Sequence, residues 1–495
     1  MSDSTDSPMA TTVQSRSRQR LLLFAVAAGV FVAADDQTSI VAVLPPLIND
    51  IGLTVDDFYR ASWVVNGYLL GYLIALPIMG RVADVYGRAR VFAAALGIFM
   101  LGSALVALSP SFTPLVFARA LQAVGGGGVV PVAMAIVVSE LPRERRLMGL
   151  GAIAAASELG ALIGPLWGGS IAELWGWRWV FWINLPMALP IALLTLRLAG
   201  SEHQRGAIDW QGALVLGLAL AVLTVALVDN PNEPRAWYWT GSLLTLAVML
   251  SIGFFLHERG TAEPMAPLAA LKQRAVLAAN VTHFVVGVGL ITVLIGVPLF
   301  VNLVLVESAL DGGLTLMRLT VAVPVGAFAG AWLGNRIGLH VTTSLGCLLA
   351  AGCFFGLQAW DRDLAEATRT LPQLVGGFGF GLTIAPLGAA VLQRVDEAHR
   401  AAASGWLTLS RVAGMLVGAA LLTSTGLGRF YARAGTIEFD SPEFAVLVAE
   451  AQVETFREVF LAAAVLMLAG AVLAWFIGRG DRRAPDDPSE RWWAI

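Results

Sequence analysis

Asp36, Arg119, Glu158 and Arg411 each interrupt a run of apolar residues long enough to cross a lipid bilayer. A charge inside hydrocarbon is costly unless it is paired or faces a water-filled cavity, so such residues mark ion and proton pathways. At 1.5 Å per residue, Asp35 and Asp36 lie about 24 Å along the first run, while Arg119 and Gln122 enter the fourth from the opposite side by about 10–15 Å. The depths match, and the spacing predicts an Asp36–Arg119 pair. Glu158 and Arg411 fall roughly halfway along the fifth and thirteenth runs. A carboxyl group at that depth can take up and release a proton, and Arg411 favours its charged form and is a candidate for switching partners. Asp35 is expected to face a neighbour or the outer vestibule. Arg318 lies near the outer surface, where it can snorkel. His283, alone in the ninth run, reads as a hydrogen-bonded packing residue.

Helices must hold these charges in place. Of 495 residues, 57% are hydrophobic and only 14% charged, with 52 glycines and a mean hydropathy of +0.73. That composition excludes a disordered chain, a nucleic-acid binder and an ordinary cytosolic enzyme, which need charge or a polar exterior. A helix needs about 20 apolar residues to span the roughly 30 Å hydrocarbon layer. Fourteen such runs occur, from 20–43 to 456–478, so the expected fold is an all-α polytopic membrane protein. Of the 32 basic residues, 21 fall on the side of the two tails, which predicts cytoplasmic termini in a bacterial plasma membrane. Reading the first run as a cleaved signal peptide would invert every later loop. Cys347 and Cys353 share one apolar run, so neither a disulfide frame nor a zinc site is indicated, and no cofactor is called for.

Gly80, Asp84 and Gly87 after the second run are echoed by Ala331, Asn335 and Gly338 at the end of the tenth, the sign of an internally repeated transporter. The chain then divides into a cytoplasmic tail (1–19), a six-helix half (20–199), an inserted helix pair with linkers (200–274), a second six-helix half (275–478) and a cytoplasmic tail (479–495). Helical patterning over 401–433 and 443–477 gives two helices of about 50 Å each, so a periplasmic hairpin is expected at about 428–455. Its apolar residues Phe430, Tyr431, Val446, Leu447, Val448 and Val453 could guide a greasy substrate.

Three strings carry further meaning. In Gly80-Arg81-Val82-Ala83-Asp84-Val85-Tyr86-Gly87-Arg88-Ala89-Arg90, Asp84 could accept hydrogen bonds from another helix's exposed amides and close the cytoplasmic side. Gly160, Gly164 and Gly168 share one helix face, as do Gly326, Gly330 and Gly334, and the two faces are expected to pack together across the halves. The stretch Trp177-Arg178-Trp179-Val180-Phe181-Trp182-Ile183-Asn184-Leu185-Pro186 reads as an outer interfacial aromatic belt.

The Gly80–Arg90 loop resembles the signature of the major facilitator superfamily, and Gly160-x3-Gly164-Pro165-x2-Gly168-Gly169 resembles its antiporter motif. Asp36-x-Thr38-x5-Leu44-Pro45, Arg119-x2-Gln122 and Trp177–Pro186 resemble motifs of the fourteen-span drug/proton antiporter branch, although Val41 stands where asparagine is usual and Ala123 where glycine is. Trp63–Tyr72, Glu158-Leu159-Gly160 and Arg411–Gly418 are similar to mycobacterial permeases that export triacylglycerols alongside a periplasmic lipoprotein. The resemblance implies two rocking six-helix halves plus two inserted helices and a cavity lined mostly by crossings one, four, nine and twelve. It places Asp36, Glu158 and Arg411 at the coupling positions, with Arg119 as partner to Asp36. The expected function is proton-coupled export of triacylglycerol-like lipids or lipophilic drugs by a monomer, with the proton gradient as energy source and a periplasmic lipoprotein as partner. The outer loop 360–370 is short for the protruding hairpin expected there in those relatives, which bears on how such a partner would dock. A multidrug/proton antiporter without a lipid role is the alternative. An uptake symporter for a polar solute fits less well, because crossings nine and twelve carry few hydrogen-bonding groups.

Overall fold

The computed structural model describes residues 8–53, 60–200, 208–230, 235–261, 265, 268–362, 365–395, 400–437 and 444–478, and these hold helices and no strand. The first half comprises α1 (Pro8–Ile51), α2 (Ser62–Tyr86), α3 (Arg88–Leu108), α4 (Phe112–Glu140), α5 (Arg143–Trp175), α6 (Trp177–Trp182) and α7 (Asn184–Leu198). The inserted pair is α8 (Trp210–Leu227) and α9 (Trp237–Glu258), followed by the one-turn α10 (Leu268–Leu271). The second half comprises α11 (Arg274–Leu303), α12 (Ala309–Ile337), α13 (Leu339–Gln358), α14 (Glu366–Leu392), α15 (Arg400–Ala434) and α16 (Phe444–Ala474). They supply 14 segments long and apolar enough to cross a membrane, α6 and α7 together making one. Fourteen is even, so the first crossing begins and the last ends on one face, here the terminal face, opposite the far face.

The repeat is visible in the packing. α1 lies on α5, and α4 on α2 and α3; α11 lies on α15, and α14 on α12 and α13. The two echoing turns also match in backbone: Gly87 joins α2 to α3 at φ 95°, and Gly338 joins α12 to α13 at φ 98°. A side chain at either position would be strained, because that region of φ is open mainly to glycine.

Several expectations need correction. α1 starts at Pro8, so part of the segment 1–19 is helical, while 1–7 and 479–495 lie outside the described residues. The sixth crossing is one span, Trp177–Leu198, as expected, with a local interruption at Ile183, where the backbone stays helical but Pro186 has no amide to offer the Trp182 carbonyl four residues back. The two glycine faces do not meet each other. A Cβ on Gly160 would stand 2.9 Å from the Asp35 nitrogen, and one on Gly168 would stand 2.9 Å from the Ser39 Cβ, so that face packs on α1. Gly330 instead faces the Leu382 backbone of α14 at 2.7 Å. Each glycine face thus serves packing within its own half, where two helices approach closely enough to exclude a side chain. The halves meet toward the far face, where Gly169 lies against Ala309 and Leu310, Gly313 lies against Pro165, and Thr320 Oγ1 donates to the Leu162 carbonyl at 3.3 Å.

At the far face α15 runs 35 residues and α16 31, or about 52 and 46 Å. Both Arg429 and Arg433 bond to Glu458, Arg433 also donates to Thr455 at 3.2 Å, and Arg457 reaches Asp361 at 3.1 Å. Arg318 pairs with Glu366 at 2.8 Å.

Candidate functional site

Two sets of charges emerge, and they differ in access. The first is sealed inside the first half. Arg119 Nη1 donates to Asp36 Oδ2 at 2.9 Å with both side chains fully buried. Gln122 Nε2 donates to Asp36 Oδ1 at 2.8 Å and its Oε1 accepts from Arg119 Nη1 at 2.6 Å. The remaining face of the guanidinium lies over the Tyr68 ring at 4.3 Å and near the Phe181 ring at 5.4 Å. This is how an ion pair survives in hydrocarbon: each oxygen has a donor, and the cation's uncovered surface meets the electron-rich faces of aromatic rings.

Two members of this cluster had not been expected. Ser103 on α3 accepts from Gln122 at 2.6 Å, and Asn184 donates to Asp36 Oδ1 at 2.8 Å and to Ser103 at 3.1 Å. Asn184, buried at the start of α7, reaches this cluster from the sixth crossing. The aromatic stretch is therefore only partly a belt. Trp175 and Trp179 are exposed. Trp177 and Phe181 are buried, and Trp177 Nε1 donates to Asp50 at 3.0 Å while Arg178 pairs with the same carboxylate.

The second set faces a cavity between the halves. Glu158 from α5 and Arg411 from α15 are its two charged lining residues, alongside Gln37 and Thr38 of α1, Tyr72 of α2 and His283 of α11. Neither Glu158 nor Arg411 has an ion-pair partner among the described residues, and both are half-buried. The lining comes from α1, α2, α5, α11, α12, α14 and α15. Crossing four was expected there and contributes nothing, because its charge is already satisfied by Asp36 within the half. His283 Nδ1 bonds to the Leu407 carbonyl at 2.8 Å, tying α11 to α15. Asp35 is buried, with Oδ2 accepting from Ser39 at 3.3 Å and Oδ1 without a partner among the described residues. Its backbone nitrogen and oxygen lie against Gly160 and Gly164 of α5.

The loop with Gly80 is held locally. Arg88 grips Asp84 Oδ1 through Nε at 3.0 Å and Nη2 at 2.8 Å. Arg90 is exposed, and Gly80 has only Pro131 Cβ near it, at 3.9 Å.

Residues 26–419 match the family model described as Major Facilitator Superfamily. The chain is 32% identical to a triacylglyceride transporter of Mycolicibacterium hassiacum over 96% of its own length and 95% of the relative's. It is 31% identical to a triacylglyceride transporter of Mycobacterium tuberculosis, over 96% and 97%. Its fold is similar to that of a bacterial homologue of the human lysosomal transporter Spinster, in an inward-facing, unoccupied conformation, with TM-score 0.66 at 15% identity over 94% of this chain and 99% of that one. A peptide transporter solved with sulfate gives TM-score 0.64 at 18% identity, covering 92% and 96%.

Proposed function

Because the chain belongs to the major facilitator superfamily, we propose that it is a proton-driven exporter of large apolar molecules, triacylglycerol-like lipids or lipophilic drugs, working by alternating access. The observation that carries this reading is the facing of Glu158 and Arg411 across one cavity from opposite halves, in a lining otherwise uncharged. In water-filled space an ionised Glu158 is solvated. Closing the cavity strips that water, which costs several kcal/mol per ion unless the charge is neutralised or paired. A proton from the far face neutralises Glu158 and permits closure. Glu158 then releases that proton to the terminal face, and in the return step an apolar substrate displaces the water and leaves the ionised Glu158 to pair with Arg411. Substrate is needed to displace the cavity water before that pair can form, so proton and substrate cross in opposite directions.

The terminal face is cytoplasmic in this reading and the far face periplasmic, in a bacterial inner membrane. The halves meet at the far face, and Asp84 bonds inside its own loop, an arrangement that fits a state open to the cytoplasm. On rocking, Asp84 would leave Arg88 for amides of the second half. The mycobacterial relatives, both triacylglyceride transporters by name, favour a triacylglyceride-like substrate. The monomer delivers it to a periplasmic lipoprotein.

The test is export from inside-out against right-side-out vesicles under an imposed pH gradient, using labelled triacylglycerol and a cationic dye as separate substrates. Wild type should move triacylglycerol only with the gradient, and Glu158→Gln should abolish this at unchanged protein level. Full activity of Glu158→Gln would overturn the coupling role; dye transport without lipid transport would favour the multidrug reading.

A further inference from the structure

A second cavity opens sideways between the inserted pair and the second half, away from the site just described. It has an accessible volume of about 780 Å³ and is bounded by α9, α10, α11 and α15. Its mouth carries Arg259, just past the end of α9, and Lys272, just past α10. Both are exposed, and neither side chain has a hydrogen bond or ion pair among the described residues. Lys272 is the only lysine of the chain.

Below the mouth the walls change character. Leu277, Val281 and Phe284 of α11 line it at helical spacing. Trp406 of α15 closes the floor, its ring stacked on Phe254 with 6.0 Å between centroids and 2° between planes. From Arg274 to Phe284 is ten residues, or about 15 Å, half the roughly 30 Å hydrocarbon layer. The groove thus spans one leaflet, the terminal-face leaflet, cationic at the headgroup level and mostly apolar beneath, with Asn280 and Ser410 its two polar lining residues there. Its outer wall is lipid-facing, for only 11% of the apolar window of α9 is buried. A helix so exposed gains little from protein packing, and the groove beside it is reached from the bilayer.

We propose that this groove binds an anionic glycerolipid of the terminal-face leaflet, with its phosphate between Arg259 and Lys272 and one acyl chain along Leu277, Val281 and Phe284. Charge decides the occupant: two cations with no side-chain partner among the described residues, above a mostly apolar slot, complement an anionic amphiphile, and a neutral triacylglycerol would leave both without a partner. The site is separate from the central cavity. Its inner wall is the α11–α15 seam, pinned by Ser410 Oγ donating to Asn280 Oδ1 at 2.9 Å and by His283 bonding to Leu407, and Arg411 lies on the cavity side of that seam. The lipid would brace the seam on one side while Arg411 works on the other.

The test is native mass spectrometry of the delipidated full chain in detergent, titrated with phosphatidylglycerol, phosphatidylcholine or inorganic phosphate. Wild type should retain one phosphatidylglycerol about tenfold more tightly than phosphatidylcholine. The Arg259→Gln/Lys272→Gln variant should bind both lipids alike, and Arg259→Lys/Lys272→Arg should keep the preference. These side chains are exposed, so folding is checked by an unchanged melting curve. Equal binding of the two lipids by wild type, or an unchanged preference in the glutamine variant, overturns the proposal. Displacement of phosphatidylglycerol by millimolar inorganic phosphate would also overturn it, assigning the site to a free anion.

Discussion

Asn184 donates its side-chain amide to Asp36 Oδ1 at 2.8 Å across 148 positions of sequence. That bond joins the start of α7 to α1 and gives Asp36 Oδ1 a second donor beside Gln122, while Nε and Nη2 of Arg119 have no hydrogen-bond partner among the described residues. With Ser103 and Gln122, the Asn184 bond draws α1, α3, α4 and α7 into one polar knot inside the first half.

The knot's full burial predicts a larger effect on stability than the half-buried cavity charges have. Asn184→Ala removes a donor from a buried carboxylate and should cost about 1–3 kcal/mol. Asp36→Asn leaves Arg119 buried without its counter-charge and should cost about 3–5 kcal/mol. Glu158→Gln, half-buried and without a bonded partner, should stay within about 0.5 kcal/mol of wild type. Melting of the three variants in one detergent measures this; equal losses in all three would remove the distinction between knot and cavity.

Asp36 and Arg119 were legible as a pair because helical rise converts sequence position into depth. Ser103 and Asn184 were not, since neutral polar residues in apolar runs carry no sign of their partner. The spacing of Gly160, Gly164 and Gly168 announced a close approach, yet a helical period gives a face and not the neighbour that occupies it. That is why α1, rather than α12, was the surprise. Crossing four was expected at the cavity for a similar reason: a charge at the right depth can turn either way, and Arg119 turned inward toward Asp36.

The α1–α5 approach makes its own prediction. A Cβ on Gly164 would stand 2.7 Å from the Asp35 carbonyl oxygen and 3.0 Å from the Ser39 nitrogen, atoms that cannot rotate away. Gly164→Ala should push the helices apart and cost about 1–3 kcal/mol. Gly151→Ala, on the same helix with nothing within 4 Å, should be neutral or stabilising by up to about 1 kcal/mol. Comparable losses of melting temperature for the two would mean that α5 does not need the close contact.

The inserted pair is clipped at the terminal face by His257, whose Nε2 lies 3.0 Å from each oxygen of Asp209. Burial pushes the Asp209 carboxyl up, but the Gly212 amide, His257 and Glu258 together hold it below its ordinary value of 3.8. A depressed carboxylate contributes stability that is full above its unfolded pKa and lost as pH falls through the folded one. Melting temperature measured from about pH 6 down to about pH 3 should therefore fall more steeply for wild type than for Asp209→Asn. Parallel curves would show that the clip does not contribute to stability.

The far ends of α15 and α16 supply the last prediction. Arg429 is 29 residues past Arg400, so it stands about 43 Å along the helix, beyond the roughly 30 Å of hydrocarbon. The ion pairs from Arg429 and Arg433 to Glu458, and from Arg457 to Asp361, hold the two helices together there and tie them to the loop after α13. Between them Phe430 and Tyr431 pack ring to ring at 5.6 Å and half-exposed, Val446 is exposed and Val453 buried. An apolar strip in water, framed by charges and continuous with the membrane-spanning helices, suits a molecule leaving the bilayer more than it suits folding, since exposed apolar surface contributes nothing to stability. The tip at 438–443 lies outside the described residues. Replacing 430–453 by a short turn should lower lipid export while leaving membrane insertion and proton leak unchanged, and Phe430→Ser/Val446→Ser should do so in part without touching the ion pairs. Export at the wild-type rate by both variants, in correctly inserted protein, would mean that the substrate leaves by another route.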